Sequence, residues 1–198
     1  DLTPPYSTIV ADPPWSYPEG WPGASTSPNS NMNRGEVPER AKRRKALPYG
    51  DMTVAAIRDL PVAELADQDA HLFLWTTNRY LLDAYRVAES WGFRTSQLLT
   101  WCKPPRGIGP GGLFASATEF ILYARKGKPE HLSRTDSTWW EWSRAKNGEH
   151  SAKPDAFLDL VETVCPGPYV ELFARRARFG WDYWGDESLG TASMEEAA

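Results

Sequence analysis

The chain has 198 residues, of which 41% are hydrophobic and 24% are charged, a composition that excludes collagen, coiled coil and wholesale disorder. Its formal net charge is −4, and no apolar run approaches the ~18–20 residues that cross a bilayer. We therefore expect one soluble, cytoplasmic domain over residues 1–187, followed by a frayed tail at 188–198.

The first predicted element is a short strand at residues 8–11, because a β-branched run ends there at Asp12-Pro13-Pro14-Trp15 and proline does not continue a central strand. Residues 16–48 are rich in Ser, Asn, Gly and Pro and show no hydrophobic period, which predicts a long functional loop. Within it, the stretch 34–45 is strongly basic in an acidic chain and is expected to contact a polyanion, although such runs are also found on solvated faces. Its basic residues are Arg34, Arg40, Lys42, Arg43, Arg44 and Lys45.

Helical and strand patterns then alternate. Thr53 is expected to cap a short helix, which a second short turn at 61–65 follows. The compact apolar run 71–76 predicts a buried strand. Asn78 is expected to cap the next helix, which ends at Gly92.

The remaining chain continues the alternation. Pro154 is well placed to begin a helix with an apolar face, whereas the stretch 133–152 is expected to be irregular. Three further strands are predicted, at 98–101, 119–123 and 169–174. Strands alternating with helices predict an α/β sandwich with a mainly parallel sheet.

Tryptophan is unusually frequent, with 10 residues in the chain. Several lie beside proline or glycine: Trp15, Trp21, Trp91, Trp181 and Trp184. Aromatic rings in loops suggest a flat ligand, whereas the alternative is an irregular core, since tryptophan is mostly buried on average.

The chemistry is expected beyond the carboxyl ends of the strands, where open α/β sheets bind their ligands. There, the Asp12 side chain and the Pro13 carbonyl can accept the two hydrogens of an exocyclic amine, while Trp15 or Tyr17 covers the attached ring. Such hydrogen bonds keep electron density on the amine and make it a better nucleophile. The interpretation requires Asp12 to face a nucleoside-sized cavity; otherwise Asp-Pro marks an ordinary turn.

Seven blocks of sequence resemble the MT-A70 family of adenine methyltransferases and occur in the family's order. They are Asp12-Pro13-Pro14-Trp15, Leu47-Pro48-Tyr49-Gly50-Asp51-Met52, Leu72-Phe73-Leu74-Trp75-Thr76-Thr77-Asn78, Trp91-Gly92-Phe93, Trp101-Cys102-Lys103-Pro104, His150-Ser151-Ala152-Lys153-Pro154-Asp155 and Glu171-Leu172-Phe173-Ala174-Arg175. The resemblance implies a Rossmann-like fold and transfer of a methyl group from S-adenosylmethionine to the 6-amino group of adenine in a nucleic acid.

The resemblance also implies roles for particular residues. In the family, residues matching Asp12, Pro13, Pro14 and Trp15 hold the target amine near the sulfonium of the cofactor, and a residue matching Tyr49 lines the target pocket. A lysine matching Lys153 neutralises the carboxylate of the cofactor or nearby substrate, and residues matching Glu171 and Arg175 hydrogen-bond the ribose. Asp186 and Glu187 are acidic where the family has amides that contact ribose and adenine. The cofactor-binding set is thus Asp12, Pro14, Lys153, Glu171, Arg175, Asp186 and Glu187.

Several alternatives remain. For Glu171, a surface ion pair with Arg175 or Arg176 is the structural alternative. For the whole chain, the alternatives are a catalytically silent partner subunit and a methyltransferase acting on a glutamine side chain or a small heterocycle. The intact tetrapeptide and the basic stretch favour adenine in a polynucleotide.

The expected partner is DNA rather than RNA, because the chain carries no zinc finger or other RNA-binding appendage. Both monomer and homodimer remain open. No metal is expected, since His71, His131 and His150 are far apart and not spaced as ligands. Cys102 and Cys165 are expected to be reduced thiols.

Overall fold

The structure, a computed structural model, describes residues 2–17, 51–104, 114, 116–143 and 153–185. Its strands are β1 Tyr6–Ala11, β2 Ala66–Thr76, β3 Arg94–Cys102, β4 Thr118–Lys126, β5 Trp139–Glu141, β6 Tyr169–Leu172 and β7 Trp181–Trp184. Its helices are α1 Val54–Arg58, α2 Val62–Leu65, α3 Leu81–Ser90 and α4 Asp155–Val164. None of these helices is long and apolar enough to cross a membrane.

All the described strands belong to one sheet, in the order β5-β3-β4-β2-β1-β6-β7. Parallel pairs join β1 to β2 and β6, β6 to β7, and β3 to β5. Only β4 runs against its neighbours β2 and β3. The predicted α/β fold with a mainly parallel sheet is confirmed. Because β4 is reversed, its first residues lie at the edge where the parallel strands end.

The sheet is covered on both faces. One face packs against α3 and the other against α4, in two separate apolar clusters. Alternate residues of β2 point to opposite clusters, so that Leu72 and Leu74 face α3 while Phe73 and Trp75 face α4. A strand buried on both faces has no polar alternation, which explains the continuous apolar run of the sequence.

Two helix boundaries follow from local chemistry as predicted. The Thr53 hydroxyl accepts a hydrogen bond from the Ala56 amide at 3.1 Å, and Gly92 ends the α3 segment with a φ of +82°. The predicted cap at Asn78 is wrong. Asn78 begins a single 3₁₀ turn that follows Thr77, and Tyr80 occupies the capping position of α3.

The pattern missed two short strands, β5 and β7. Both lie at the edges of the sheet, where three or four residues pair with a single neighbour and only part of each strand is buried. Such short, half-paired strands carry too little periodicity to stand out from an irregular segment.

Of the nine tryptophans that the structure describes, eight lie in or pack against the two apolar clusters. Five are exposed by no more than 6%: Trp15, Trp75, Trp91, Trp101 and Trp181. For these the core alternative is correct, whereas Trp139 is 60% exposed. Cys102 and Cys165 are free thiols, as expected, and burial raises the pKa of Cys165 to about 12.

Candidate active site

A cleft opens beyond the carboxyl ends of β1, β2 and β6, where the start of α4 approaches the sheet. It encloses about 480 Å³, including its open mouth. Residues that line it include Asp12, Trp75, Lys153, Glu171, Phe173 and Arg175. The side chains that the sequence singled out after β1, before α4 and on β6 are thus brought to one cleft.

The tetrapeptide after β1 is held by backbone hydrogen bonds. The Asp12 amide donates to the Leu172 carbonyl at 3.3 Å, and the Met52 amide donates to the Pro14 carbonyl at 2.8 Å. The Pro13 carbonyl accepts the Trp15 amide at 2.9 Å. A carbonyl oxygen has two lone pairs, so Pro13 keeps capacity for one further donor.

Trp15 does not offer its ring to a ligand. Its side chain is 6% exposed, its indole stacks on Tyr80 with ring centroids 5.1 Å apart, and Nε1 donates to the Trp75 carbonyl at 3.1 Å. The expectation that Trp15 covers a target ring is therefore corrected, because the ring is packed in the core and anchors the tetrapeptide to β2.

Tyr17, the second aromatic residue expected to cover the target ring, lies beside Tyr80 and Thr77. Its hydroxyl shares a hydrogen bond of 2.9 Å with Thr77 Oγ1, and its ring meets Tyr80 edge-on at 5.2 Å. Burial raises the pKa of Tyr17, and the charges of Glu119 and Lys153 also act on it. The phenol thus lies within electrostatic reach of the cleft's charged groups.

Four charged side chains alternate in sign beside the cleft, and we call them the charge chain: Asp12, Lys153, Glu119 and Lys103. Lys153 Nζ lies 2.7 Å from Asp12 Oδ2 and 3.5 Å from Glu119 Oε2. Lys103 Nζ donates a hydrogen bond to Glu119 Oε1. All four side chains are less than 20% exposed. Each buried charge is thus compensated by an opposite neighbour, as burial of charge requires.

The pKa shifts of Lys153 and Glu119 are consistent with this compensation. Burial by itself lowers the pKa of Lys153, but attraction to Asp12 and Glu119 outweighs it and the net pKa is raised. Burial acts to raise the pKa of Glu119, but Lys153 and Lys103 outweigh it and the net pKa is lowered. Both groups are therefore charged at neutral pH.

Two tryptophan rings support the ammonium groups of the charge chain. Lys153 Nζ lies 5.1 Å from the ring centroid of Trp75, and Lys103 Nζ lies 5.2 Å from that of Trp101. A ring face attracts a cation at such distances. Lys153 uses two of its three donors on carboxylates, so a third donor remains for a ligand.

Glu171 faces the cleft from β6. Among the described residues no side chain donates a hydrogen bond to its carboxylate, and Arg176 pairs with Asp155 instead. The proposed ion pair with Arg176 is thus wrong. Burial, together with the charge of Asp12, raises the pKa of Glu171 to about 7. A buried carboxylate without a donor is poised to accept hydrogen bonds from a ligand.

The end of β6 turns sharply at this point. Phe173, which lines the cleft, has a φ of +65°, an uncommon conformation for a residue with a side chain. The next residue, Ala174, donates its amide to the Trp184 carbonyl at 3.0 Å. A Cβ on Gly185 would collide with the Ala174 backbone, so glycine is required where β7 ends against this turn.

Sequence reasoning missed Glu119 and did not single out Lys103. Glu119 is the second residue of β4, and nothing in its local sequence separates it from a solvated strand end. Eight predicted site residues lie outside the described residues: Arg40, Lys42, Arg43, Arg44, Lys45, Tyr49, Asp186 and Glu187. Within the described ranges, no group of His, Cys, Asp or Glu is arranged to hold a metal ion.

Comparison with known proteins decides the family. The family model of MT-A70 matches residues 6–187. The chain belongs to the MT-A70 family. The family predicted from the seven blocks, and with it the Rossmann-like methyltransferase fold, is confirmed.

Individual proteins to which the chain is similar are also named as methyltransferases. The chain is 32% identical to the type II methyltransferase M.MunI of Mycoplasma sp., over 92% of this chain and 77% of that protein. It is 24% identical to the human N(6)-adenosine-methyltransferase catalytic subunit METTL3, over 86% of this chain but 26% of that protein. It is 26% identical to the N6-methyladenosine RNA methyltransferase MTA1 of Pyricularia oryzae, over 94% of this chain and 48% of that protein. The predicted enzyme class, a methyltransferase, is therefore confirmed.

Proposed function

We propose that this MT-A70 protein transfers a methyl group from S-adenosylmethionine to the 6-amino group of adenine in DNA. The observation that carries the proposal is the juxtaposition of Asp12 and Glu171 in one cleft. Asp12 is an ionic partner of Lys153, yet it lines the cleft rather than being sequestered away from it. Its position in the wall of an open cleft supports the proposal that Asp12 faces a ligand.

The residues of the cleft fit S-adenosylmethionine. Glu171 has unused acceptors for a ribose diol, at the strand end where dinucleotide-binding folds place such a carboxylate. The third donor of Lys153 suits the carboxylate of the methionine moiety, and Arg175 lines the same cleft. When bound, S-adenosylmethionine supplies a methyl group on a positively charged sulfur.

Asp12 is the group that prepares the amine. Oδ2 is occupied by Lys153, while no described residue donates to the second carboxylate oxygen, which is left to accept an amine hydrogen. The Pro13 carbonyl keeps one lone pair for the other hydrogen. These acceptors hold the nitrogen lone pair toward the methyl carbon and stabilise the positive charge that develops on nitrogen. Asp12 need not act as a strong base, because the methylated ammonium loses its proton readily.

The charge chain compensates the negative charge of Asp12, because Lys153 Nζ lies 2.7 Å from its carboxylate. Lys153 and Lys103 balance the two carboxylates of the chain. The reaction moves a positive charge from the sulfur to the amine nitrogen, so excess positive charge beside the amine would oppose it, and Glu119 offsets the charge of Lys153. We therefore infer that Glu119 and Lys103 hold Lys153 against Asp12 without touching the substrate.

DNA is proposed as the substrate because of the chain's similarity to one relative. The relative M.MunI is named a type II methyltransferase and resembles this chain over most of its own length, whereas the chain spans about a quarter to a half of the relatives named as adenosine or RNA methyltransferases. The basic stretch at 34–45 supplies charge for phosphates. A duplex target must be flipped out at a cost of a few kcal/mol, which a single strand avoids.

A single assay tests the proposal. We expect labelled S-adenosylmethionine to deliver its methyl group to adenine in oligonucleotides, with more product on DNA than on RNA. Single-stranded and duplex forms of both should be compared, and the product identified by mass spectrometry of the nucleosides. Label on RNA alone would reverse the choice of substrate. Nucleic-acid binding without any transfer would favour a catalytically silent partner subunit.

Glu171→Gln is expected to stabilise the free protein while weakening its cofactor site. An unfolded chain releases the Glu171 proton near the ordinary value of 4.5, whereas the folded protein holds it to about 7. The free energy of unfolding is therefore undiminished below pH 4.5 and falls as pH rises through 7. Without this ionisation, the variant should gain about 1–2 kcal/mol at pH 8, or roughly 2–8 °C in Tm.

The gain should vanish below about pH 4.5, where Glu171 is neutral in both the folded and the unfolded protein. Calorimetric titration should show about tenfold weaker binding of S-adenosylmethionine by the variant, about 1.4 kcal/mol. Glu141→Gln, at an exposed position of β5, is the matched control. Equal stability of wild type and Glu171→Gln at pH 8 would contradict the prediction.

A further inference from the structure

A second cavity lies on the same face of the sheet as the catalytic cleft, at the other end of α4. Phe73, Leu99 and Tyr123 line it from the sheet, and Leu160 and Val164 line it from α4. The segment 131–138 forms its mouth. The volume of the cavity is about 350 Å³, a size within the range of ligand sites. Its walls are largely apolar and aromatic, with polar groups concentrated at the mouth.

The surroundings of this cavity are positively charged. Arg134 is exposed at the mouth and donates from Nε to His131 Nε2 at 3.3 Å. Arg94 and Arg125 are directly paired across β3 and β4, an arrangement of like charges that is unfavourable in a sheet. The charge of Arg125 acts on both His71 and Tyr123, which line the cavity.

The buried Nε of Arg125 has no hydrogen-bond partner among the described residues. The acidic residue of the mouth segment is Asp136, which is exposed. These three guanidinium groups face two carboxylates, those of Asp136 and of Glu130 just before the mouth, and leave an excess of positive charge beside an aromatic cavity. An anionic ligand with an aromatic group would complement both features.

The second cavity is close to the catalytic cleft. Phe73 lines the cavity and Trp75 lines the cleft, and two residues on one face of a strand are about 7 Å apart. A row of aromatic side chains connects them along the β3–β5 edge. Trp140 lines the cavity and stacks on Trp142 with ring centroids 5.3 Å apart. Trp101 donates from Nε1 to the Trp142 carbonyl at 3.0 Å and carries the Lys103 ammonium over its ring.

We propose that the second cavity binds the base of a nucleotide that flanks the target adenine in a single-stranded stretch of the substrate, with its phosphate against Arg134. Aromatic walls and cationic groups are the combination by which proteins hold single-stranded nucleic acid. Two or three stacked nucleotides, at about 3.4 Å each, cover the spacing of Phe73 and Trp75 on β2. The inference rests on the proposed function, because the target adenine must occupy the catalytic cleft.

Charge reversal at the mouth tests the phosphate contact. Arg134→Glu should weaken binding of a fluorescein-labelled single-stranded oligodeoxynucleotide containing one adenine by about tenfold, measured by anisotropy. The slope of log Kd against log salt should fall by about one. Arg86→Glu is the control, since Arg86 is 66% exposed on α3, on the opposite face of the sheet. Equal effects of the two variants on affinity and slope would overturn the proposal.

Photocrosslinking tests the base contact directly. Oligonucleotides with 5-iododeoxyuridine at successive positions beside the adenine should give adducts on Tyr123 or Trp140 from one flank only, located by peptide mass spectrometry. Adducts confined to residues outside the cavity would overturn the proposal. Methyl transfer measured in the same samples separates the two ideas. Transfer without cavity adducts rejects the second site alone, and cavity adducts without transfer reject the proposed methylation while leaving the nucleotide site standing.

Discussion

Asp12→Asn is expected to lower kcat for methyl transfer by about 10³-fold, equivalent to about 4 kcal/mol of transition-state stabilisation. Asparagine keeps the shape of the side chain and one acceptor oxygen but removes the negative charge. The reaction creates positive charge on the adenine nitrogen, and Lys153 lies 2.7 Å from Asp12 Oδ2. In the Asp12→Asn variant, no carboxylate would balance the positive charge of Lys153 on the side that faces the target adenine nitrogen.

The effect should fall on kcat more than on KM, because Asp12 acts on charge that exists only in the transition state. Single-turnover transfer to an adenine-containing oligonucleotide measures it. Asp59→Asn, at an exposed position after α1, is the matched control and should retain full activity. Circular dichroism and Tm should show that the fold of Asp12→Asn persists. Transfer within tenfold of wild type would contradict a catalytic role for Asp12.

Lys153→Met is expected to lower the free energy of unfolding by about 3 kcal/mol at pH 8, or roughly 6–12 °C in Tm, and to abolish methyl transfer. Methionine replaces most of the volume of lysine and removes the ammonium. Asp12 and Glu119, whose side chains are 14% and 19% exposed, would then lie close together without their shared cation. Breaking a buried pair in this way costs more than the pair itself contributes.

The loss of stability should depend on pH. Lys153, with Lys103, holds the pKa of Glu119 below its usual value, and without Lys153 that pKa rises. In the variant, Glu119 therefore holds a proton at pH 5 more readily than it does in the wild type. Raising the pH to 8 removes that proton from a buried site, so the free energy of unfolding of the variant falls as pH rises from 5 to 8. Chemical denaturation at the two pH values measures the difference, which should be smaller at pH 5.

Two further variants separate charge from structure. Lys153→Arg keeps a cation and should retain most of the stability, although a planar guanidinium cannot reproduce the contacts of an ammonium and activity should remain low. Lys128→Met, at an exposed turn position, should leave both stability and activity unchanged. A Lys153→Met variant as stable as wild type at pH 8 would show that the charge chain contributes nothing to the fold.

Local patterns were sufficient for the elements whose signals are short-range. The strand ending at Asp12 was predicted because prolines stop a β-branched run, and the cap at Thr53 was predicted from its hydroxyl. The cleft was predicted because ligands bind beyond the ends of parallel strands, and Asp12 and Glu171 do line it. Each of these predictions depends on residues that are neighbours in sequence or on a general property of α/β folds.

Local sequence predicts the wrong role for Trp15, because the burial of its ring depends on a distant part of the chain. Its position beside two prolines suggested an exposed ring, but the ring stacks on Tyr80, a residue 65 positions further along the chain. Likewise β5 and β7 exist because β3 and β6 offer them an unpaired edge. Burial and pairing are set by what the rest of the chain brings alongside, which a local pattern does not contain.

The amino-acid sequence by itself determined the family, the α/β class and the positions of Asp12, Lys153 and Glu171, because these are carried by short motifs in a definite order. Only the tertiary structure decided that Glu119 and Lys103 complete a chain of alternating charges. The antiparallel direction of β4 places Glu119 at the carboxyl edge of its neighbours, 34 residues from Lys153 in sequence. Whether a buried charge is compensated depends on distance in space, and strand order and direction set that distance.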